Sequence, residues 1–306
     1  NLLTNNMLDK FKNYENNKLK VHAQSFLEKL KDSEIDFSIN GPVKLNGNVT
    51  ISGSKNAALP IMTACLAHPG VYILHNVPDL RDTRTMVKLL KIIGSKVKTE
   101  NNTVTIDTRK CNNPVAPYEL VKTMRASFYV LGPLLSRFKY AKVSLPGGCA
   151  WGPRPVNYHI QAMKTLGADV NLKDGMIIAK GKLNGGEINF EQKSVGATGN
   201  ALMASVKSTG ITVINNASQE PEIEALCKFL KIMGANIKGV GTNKIVIKGK
   251  KKLKENVDFT IIPDRIEAGT FLIAGAITSG NVKVTNIDPN HLTIVIDYLF
   301  KSGFKL

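Results

Sequence analysis

Leu90-Lys91-Ile92-Ile93-Gly94 closes an amphipathic stretch with a glycine stop, and the same form returns as Met163-Lys164-Thr165-Leu166-Gly167, Leu230-Lys231-Ile232-Met233-Gly234 and Leu299-Phe300-Lys301-Ser302-Gly303. A glycine just past the last periodic residue takes the left-handed C′ position of a helix. The stops fall 73, 67 and 69 residues apart. That period is too long for a solenoid and fits a repeated α/β unit. Each unit reads as a small-residue helix, a strand ending near Asn or Pro, an amphipathic helix, the stop and a hairpin. The hairpins span 95–107, 168–180 and 235–248, with turns at Asn101-Asn102, Asp174-Gly175 and Gly241-Thr242-Asn243.

The fourth copy has no hairpin before Leu306, and the chain starts at Asn1 rather than at a methionine; both predict a piece of a longer protein. The expected division is an extension over 1–35, a hairpin over 36–53 that joins a second domain, a complete three-unit domain over 54–262, and the first unit of an incomplete second domain over 263–306. Within 36–53 the turns are expected at Gly41-Pro42 and Asn46-Gly47, and Ser25 to Lys31 reads as helical.

The 306 residues are 43% hydrophobic, enough for one large core or two smaller ones. No run reaches the roughly 18 apolar residues of a membrane span, and none resembles a signal peptide, so a cytoplasmic protein without membrane insertion is expected. Cys65, Cys111, Cys149 and Cys227 are scattered without a CxxC pair, which points to reduced thiols rather than zinc or disulfides. The net charge of +17 raises nucleic acid as a partner. Its lysines are spread along the chain with no aromatic-interleaved stripe, so anionic small substrates are the better reading.

Leu145-Pro146-Gly147-Gly148-Cys149-Ala150-Trp151-Gly152-Pro153-Arg154-Pro155-Val156 sets a thiol among glycines, prolines and an arginine. Such a setting predicts an exposed loop whose thiol does acid–base or nucleophilic work, because nearby positive charge lowers a thiol pKa. A buried packing cysteine is the competing reading. Gly53-Ser54-Lys55-Asn56-Ala57-Ala58-Leu59-Pro60 places a lysine where a strand gives way to a helix start, a plausible anion site. Met124-Arg125-Ala126-Ser127 and Val195-Gly196-Ala197-Thr198-Gly199-Asn200 repeat the arrangement. Three such helix starts on one surface would build an anion-friendly cleft.

Together with Glu220-Pro221-Glu222-Ile223 and Pro263-Asp264-Arg265-Ile266-Glu267-Ala268-Gly269-Thr270-Phe271, these motifs in this order resemble the UDP-N-acetylglucosamine 1-carboxyvinyltransferases, a family of enolpyruvyl transferases. The resemblance runs from about Phe37 to Leu306. It implies an inside-out α/β barrel of repeated units in two domains, the second incomplete here, with the active site between them and no cofactor. It also implies transfer of the enolpyruvyl group of phosphoenolpyruvate to the 3′-hydroxyl of UDP-N-acetylglucosamine, the opening step of peptidoglycan precursor synthesis and the target of fosfomycin.

By the same resemblance, Cys149 matches the cysteine that protonates C3 of phosphoenolpyruvate, and Lys55, Arg125 and Arg154 match cations that hold its phosphate and carboxylate. Asn56 matches a contact at the reacting sugar. Arg154, Pro155, Val156, Asn157 and Tyr158, with Gln192, Lys193, Ser194, Val195 and Gly196, match segments around the nucleotide sugar. Glu220 and Asp264 match motif positions that serve either the site or the hinge. The sequence departs from the family pattern in two places, Asn157 for an aspartate and Tyr129 for a tryptophan. The family's catalytic aspartate would lie beyond Leu306, so the chain alone is expected to be inactive or nearly so. Two alternatives stand beside this reading: a 3-phosphoshikimate 1-carboxyvinyltransferase, which shares the donor chemistry, and a noncatalytic basic binding protein.

Overall fold

The computed structural model describes residues 41–145 and 156–306. Cys149, Arg154 and Pro155 therefore lie outside the described residues, as does the expected helix at 25–31.

Three units repeat one plan. Unit I holds α1 (Lys55–Ala64), β2 (Val71–His75), α2 (Arg81–Ile93), β3 (Lys96–Glu100) and β4 (Thr103–Asp107), after a first strand β1 (Asn46–Thr50). Unit II holds β5 (Val115–Ala116), the short turn α3 (Tyr118–Val121), a 3-10 segment (Arg125–Val130) leading into α4 (Leu131–Phe138), then β6 (Tyr140–Ser144), α5 (Asn157–Thr165), β7 (Asp169–Lys173) and β8 (Met176–Lys180). Unit III holds β9 (Gly186–Asn189), α6 (Val195–Ser205), β10 (Ile211–Asn215), α7 (Pro221–Ile232), β11 (Asn236–Lys238) and β12 (Lys244–Lys248). After β13 (Asn256–Thr260), unit IV follows with α8 (Arg265–Ile277), β14 (Asn281–Thr285) and α9 (Thr293–Lys301).

The four stops behave alike. Gly94, Gly167, Gly234 and Gly303 have φ of 104, 99, 100 and 88°. In each, the next residue's N–H bonds back to the carbonyl five positions earlier, as Ser95 to Leu90 and Ala235 to Leu230. This is the Schellman closure. A Cβ at Gly234 would meet nothing within 4 Å, whereas one at Gly94 would come 3.2 Å from the Cys111 Cα. Gly234→Ala is therefore expected to cost only the left-handed strain, about 1–2 kcal/mol, and Gly94→Ala measurably more, in urea unfolding of the two variants. Equal losses would show that crowding at Gly94 relaxes freely.

Each unit also carries a strand that the repeat pattern does not announce. The three sheets run β13-β2-β4-β3, β5-β6-β8-β7 and β9-β10-β12-β11, and the first pair in each is parallel. The hairpin turns at Asn101-Asn102 and Asp174-Gly175 have positive φ at both positions, the geometry that suits two-residue loops. Unit I takes its parallel strand, β13, from far along the chain. In turn β1 pairs in parallel with β14 of unit IV, Asn46 opposite Asn281. The expected turn at Asn46-Gly47 is thus corrected: both residues lie in the strand, and Asn46 Oδ1 accepts the Asn281 N–H at 2.8 Å.

The chain crosses between unit IV and the rest at two antiparallel segments. Ser54 N–H donates to the Ile262 carbonyl at 2.7 Å, and Asp264 N–H to that of Ser52 at 2.9 Å. Units I to III share one continuous core, which includes nearly all of α1 and α6 and the first five residues of α4. These helices are built from small residues because they pack on one another; a Cβ at Gly132 would fall 2.4 Å from the Asn200 carbonyl. Unit IV has a separate, small core around Ile51, Ala268 and Leu292. Among the described residues no helix is long and apolar enough to cross a membrane, and no group of three or more His, Cys, Asp or Glu side chains could hold a metal ion.

Candidate functional site

The N-terminal ends of the central helices of units I to III open onto one cleft of about 820 Å³, and α8 of unit IV adds Arg265 to its wall. Ser54 and Ser194 cap α1 and α6, their hydroxyls accepting from Ala57 N–H and Ala197 N–H at 3.3 Å each. A serine cap satisfies one of the unpaired N–H groups of a helix start and leaves others directed outward. In unit II the sequence-level likeness hides a difference: the segment after Met124 is 3-10, without a side-chain cap.

Of the residues singled out from the sequence, Lys55, Asn56, Arg125, Val156, Lys193, Ser194, Val195, Gly196 and Glu220 line this cleft. Asn157, Tyr158, Gln192 and Asp264 are not among its lining residues. Asp264 instead caps α8, accepting from Ile266 N–H at 2.8 Å and Glu267 N–H at 3.2 Å, and its own N–H belongs to the crossing. Tyr129 lines the wall, and burial together with Glu222 and Glu220 pushes its phenol pKa up.

The cleft's cations are partly engaged in place. Lys55 Nζ meets Asp82 Oδ2 at 2.9 Å, and Lys193 Nζ donates to Gln219 Oε1 at 2.6 Å. Arg265 grips Glu222, whose side chain is 4% exposed. Glu220 Oε2 is buried with no hydrogen-bond partner among the described residues.

The repeat also shows what is special about unit II. In units I and III the connection from central strand to outer helix takes residues 76–80 and 216–220, five positions each; in unit II it takes 145–156, which is twelve. Asn76 and Asn216 start the short connections with φ of 57 and 53°, their side-chain amides donating to the Ile261 and Phe190 carbonyls at 3.0 Å. Leu145 stands in that place in unit II. The long connection is the one that carries Cys149, and it returns to the cleft at Val156. The other three thiols, Cys65, Cys111 and Cys227, are buried.

Sequence reasoning missed the floor of the cleft. His159, on α5, is 7% exposed and packs edge-on against Phe128, with centroids 5.1 Å apart. Asn200 fixes it. Its Oδ1 accepts the Gly132 N–H at 2.7 Å, so Nδ2 is the donor, to the Phe128 carbonyl and to His159 Nδ1, each at 2.9 Å. His159 is then neutral with its proton on Nε2. Burial, and next the positive Arg125, lower its pKa to about 3. Asp82 and Glu222 were also missed, because an acid in the first turn of a helix reads as an ordinary complement to the helix dipole, and Arg265 with them, since its partner Glu222 lies 43 positions away in the sequence. An asparagine inside the apolar run of α6 was the available clue, since a buried amide needs partners.

This pseudo-threefold arrangement is an α/β fold of the enolpyruvyl-transferase class. The structure of NikO, an enolpyruvyl transferase from Streptomyces tendae, superposes with a TM-score of 0.77 at 23% identity, over 87% of this chain and 64% of that one. EPSP synthase from Acinetobacter baumannii gives 0.68 at 21% identity, over 86% and 60%. The chain belongs to the EPSP synthase (3-phosphoshikimate 1-carboxyvinyltransferase) family, whose profile matches residues 39–305. Among curated relatives it is 54% identical over 269 residues to the UDP-N-acetylglucosamine 1-carboxyvinyltransferase of Chlorobaculum parvum and 54% over 272 residues to that of Chloroherpeton thalassium. These matches cover 87% and 88% of this chain, which spans about 63% of the length of either relative.

Proposed function

We propose that this chain forms the donor- and nucleotide-binding wall of an enzyme that transfers the enolpyruvyl group of phosphoenolpyruvate to the 3′-hydroxyl of UDP-N-acetylglucosamine. In that reaction the sugar hydroxyl gives up its proton to a base as its oxygen bonds to C2 and C3 gains a proton; the C2–O bond to phosphate then breaks, phosphate departs and C3 loses a proton. The observation that carries the reading is the convergence of three helix starts with Lys55, Arg125 and Lys193 on one cleft, to which the long unit II connection returns. Helix N-termini and fixed cations stabilise oxyanions, and the charge on the phosphate and carboxylate shifts as the tetrahedral intermediate forms.

Lys55, Arg125 and Arg154 are assigned to the donor's anionic groups, Asn56 to the reacting sugar, and Cys149 to proton transfer at C3. Residues 154–158 and 192–196 are assigned to the nucleotide sugar. The enzyme is placed in the cytoplasm. The separate cores support a division into a domain over 54–262 and a second to which 36–53 and 263–306 belong.

The family's own description makes 3-phosphoshikimate the rival acceptor. The 54% identity to nucleotide-sugar enzymes, against 21% to an EPSP synthase, favours the first reading. Calorimetric titration of the chain decides between them. UDP-N-acetylglucosamine is expected to bind at least about tenfold more tightly than shikimate 3-phosphate. Lys193→Ala should weaken it by about 1.5–3 kcal/mol, the worth of a charged hydrogen bond, while Arg125→Ala, assigned to the donor, should change it much less. Tighter binding of shikimate 3-phosphate would move the chain to the rival reading.

A further inference from the structure

The two ion pairs in the cleft wall occupy related places in the repeat but join different elements. In unit I, Asp82, the second residue of α2, holds Lys55, the first residue of α1. Unit III has a carboxylate at the same place, Glu222, second in α7, yet Val195 stands where Lys55 would be. Glu222 reaches instead to Arg265, the first residue of α8 in unit IV. The contacts are Nε to Oε1 at 3.0 Å, Nε to Oε2 at 3.3 Å and Nη2 to Oε2 at 3.2 Å.

This grip takes the Nε/Nη2 edge of the guanidinium. Nη1 makes no hydrogen bond to the described residues, and Arg265 lines the cleft. The bond also sits beside the crossing, since Asp264, the preceding residue, donates its N–H to Ser52. A carboxylate this buried is costly to leave unpaired, so the pair should be strongly coupled.

We infer that Glu222 is a positioning residue: it holds Arg265 by one edge, leaves the Nη1 edge for an anionic group in the cleft, and ties unit IV to unit III at the crossing. The inference goes beyond the proposed reaction and does not depend on which acceptor is used.

It is tested on the 306-residue chain by NMR. The Nε–H resonance of Arg265, assigned by its disappearance in R265Q, should exchange with solvent at least about tenfold faster in E222Q than in the wild type. The amides of Ser54 and Asp264 should also exchange at least tenfold faster, while those of Ile106 and Ile247 in the sheets of units I and III stay unchanged. R265K keeps the charge but loses the fork, and should give crossing amides between wild type and E222Q, which serves if E222Q folds poorly. An Arg265 signal and crossing amides unchanged in E222Q, or faster exchange confined to the first turn of α7, would overturn the inference. Failure of the proposed reaction shows elsewhere, as wild-type protein that does not bind the nucleotide sugar.

Discussion

Iodoacetamide at pH 8 is expected to place one rapid adduct on the native protein, at Cys149, and to leave the other three thiols at least about a hundredfold slower. Alkylation requires a thiolate and access to it. Cys65 and Cys227 have no exposed surface, and Cys111 is 6% exposed with its sulfur 3.1 Å from Ser95 Oγ. Burial pushes all three pKa values up, that of Cys227 to about 12. At four units above the working pH only about one thiol in ten thousand is ionised, before access is counted. Cys149 lies on the connection that is seven positions longer than its counterparts and returns to a wall bearing Lys55 and Arg125. Arg154, five positions on in the sequence, is the kind of neighbour that holds a thiol nearer neutrality. Peptide mapping by mass spectrometry checks the site. Cys149→Ser should remove the fast adduct altogether, and fast modification of Cys65, Cys111 or Cys227 in the folded protein would defeat the assignment.

How far the sequence could be read depended on the range of the interactions involved. The glycine stops and the two-residue turns were legible because the conformation they impose is local: Gly94 and Asn101 take positive φ for reasons contained in a few residues. The parallel strands were not. β5 has two residues and β9 four, too few for an alternating pattern, and β13 and β1 are strands through partners far away in the chain. The Asn46-Gly47 pair carried a turn signature that pairing with Asn281 overrode. At the site, the helix starts could be found by their small residues and cations, since the repeat aligned them. The carboxylates could not, because the choice of Val195 or Lys55 at one helix start decides whether a first-turn acid serves its own unit or the next. The Asn200–His159 pair needed the close approach of α4, α5 and α6, which only the packed structure supplies.

That pair gives the strongest stability expectation. Asn200→Ala takes the partner from the Gly132 N–H, the Phe128 carbonyl and His159 Nδ1 together, all in buried residues, so a loss of about 3–5 kcal/mol is expected at pH 7. The sign of the pH effect follows from the neutral imidazole. The folded His159 pKa, about 3, lies below the ordinary value of 6.5, so between the two the unfolded chain binds a proton that the folded chain refuses. Its contribution is complete above pH 6.5 and is lost as pH falls towards 3, at up to about 1.4 kcal/mol per unit. From pH 7 to pH 5 the wild type should therefore lose about 2 kcal/mol more than His159→Gln, which stays neutral and can still accept from Asn200. Carboxylates such as Asp107 titrate alike in both proteins and cancel in the difference. Urea unfolding of the two at pH 7 and pH 5 measures it. Parallel pH dependence would mean that His159 accepts its proton within the fold, and that the Asn200 amide does not hold it neutral.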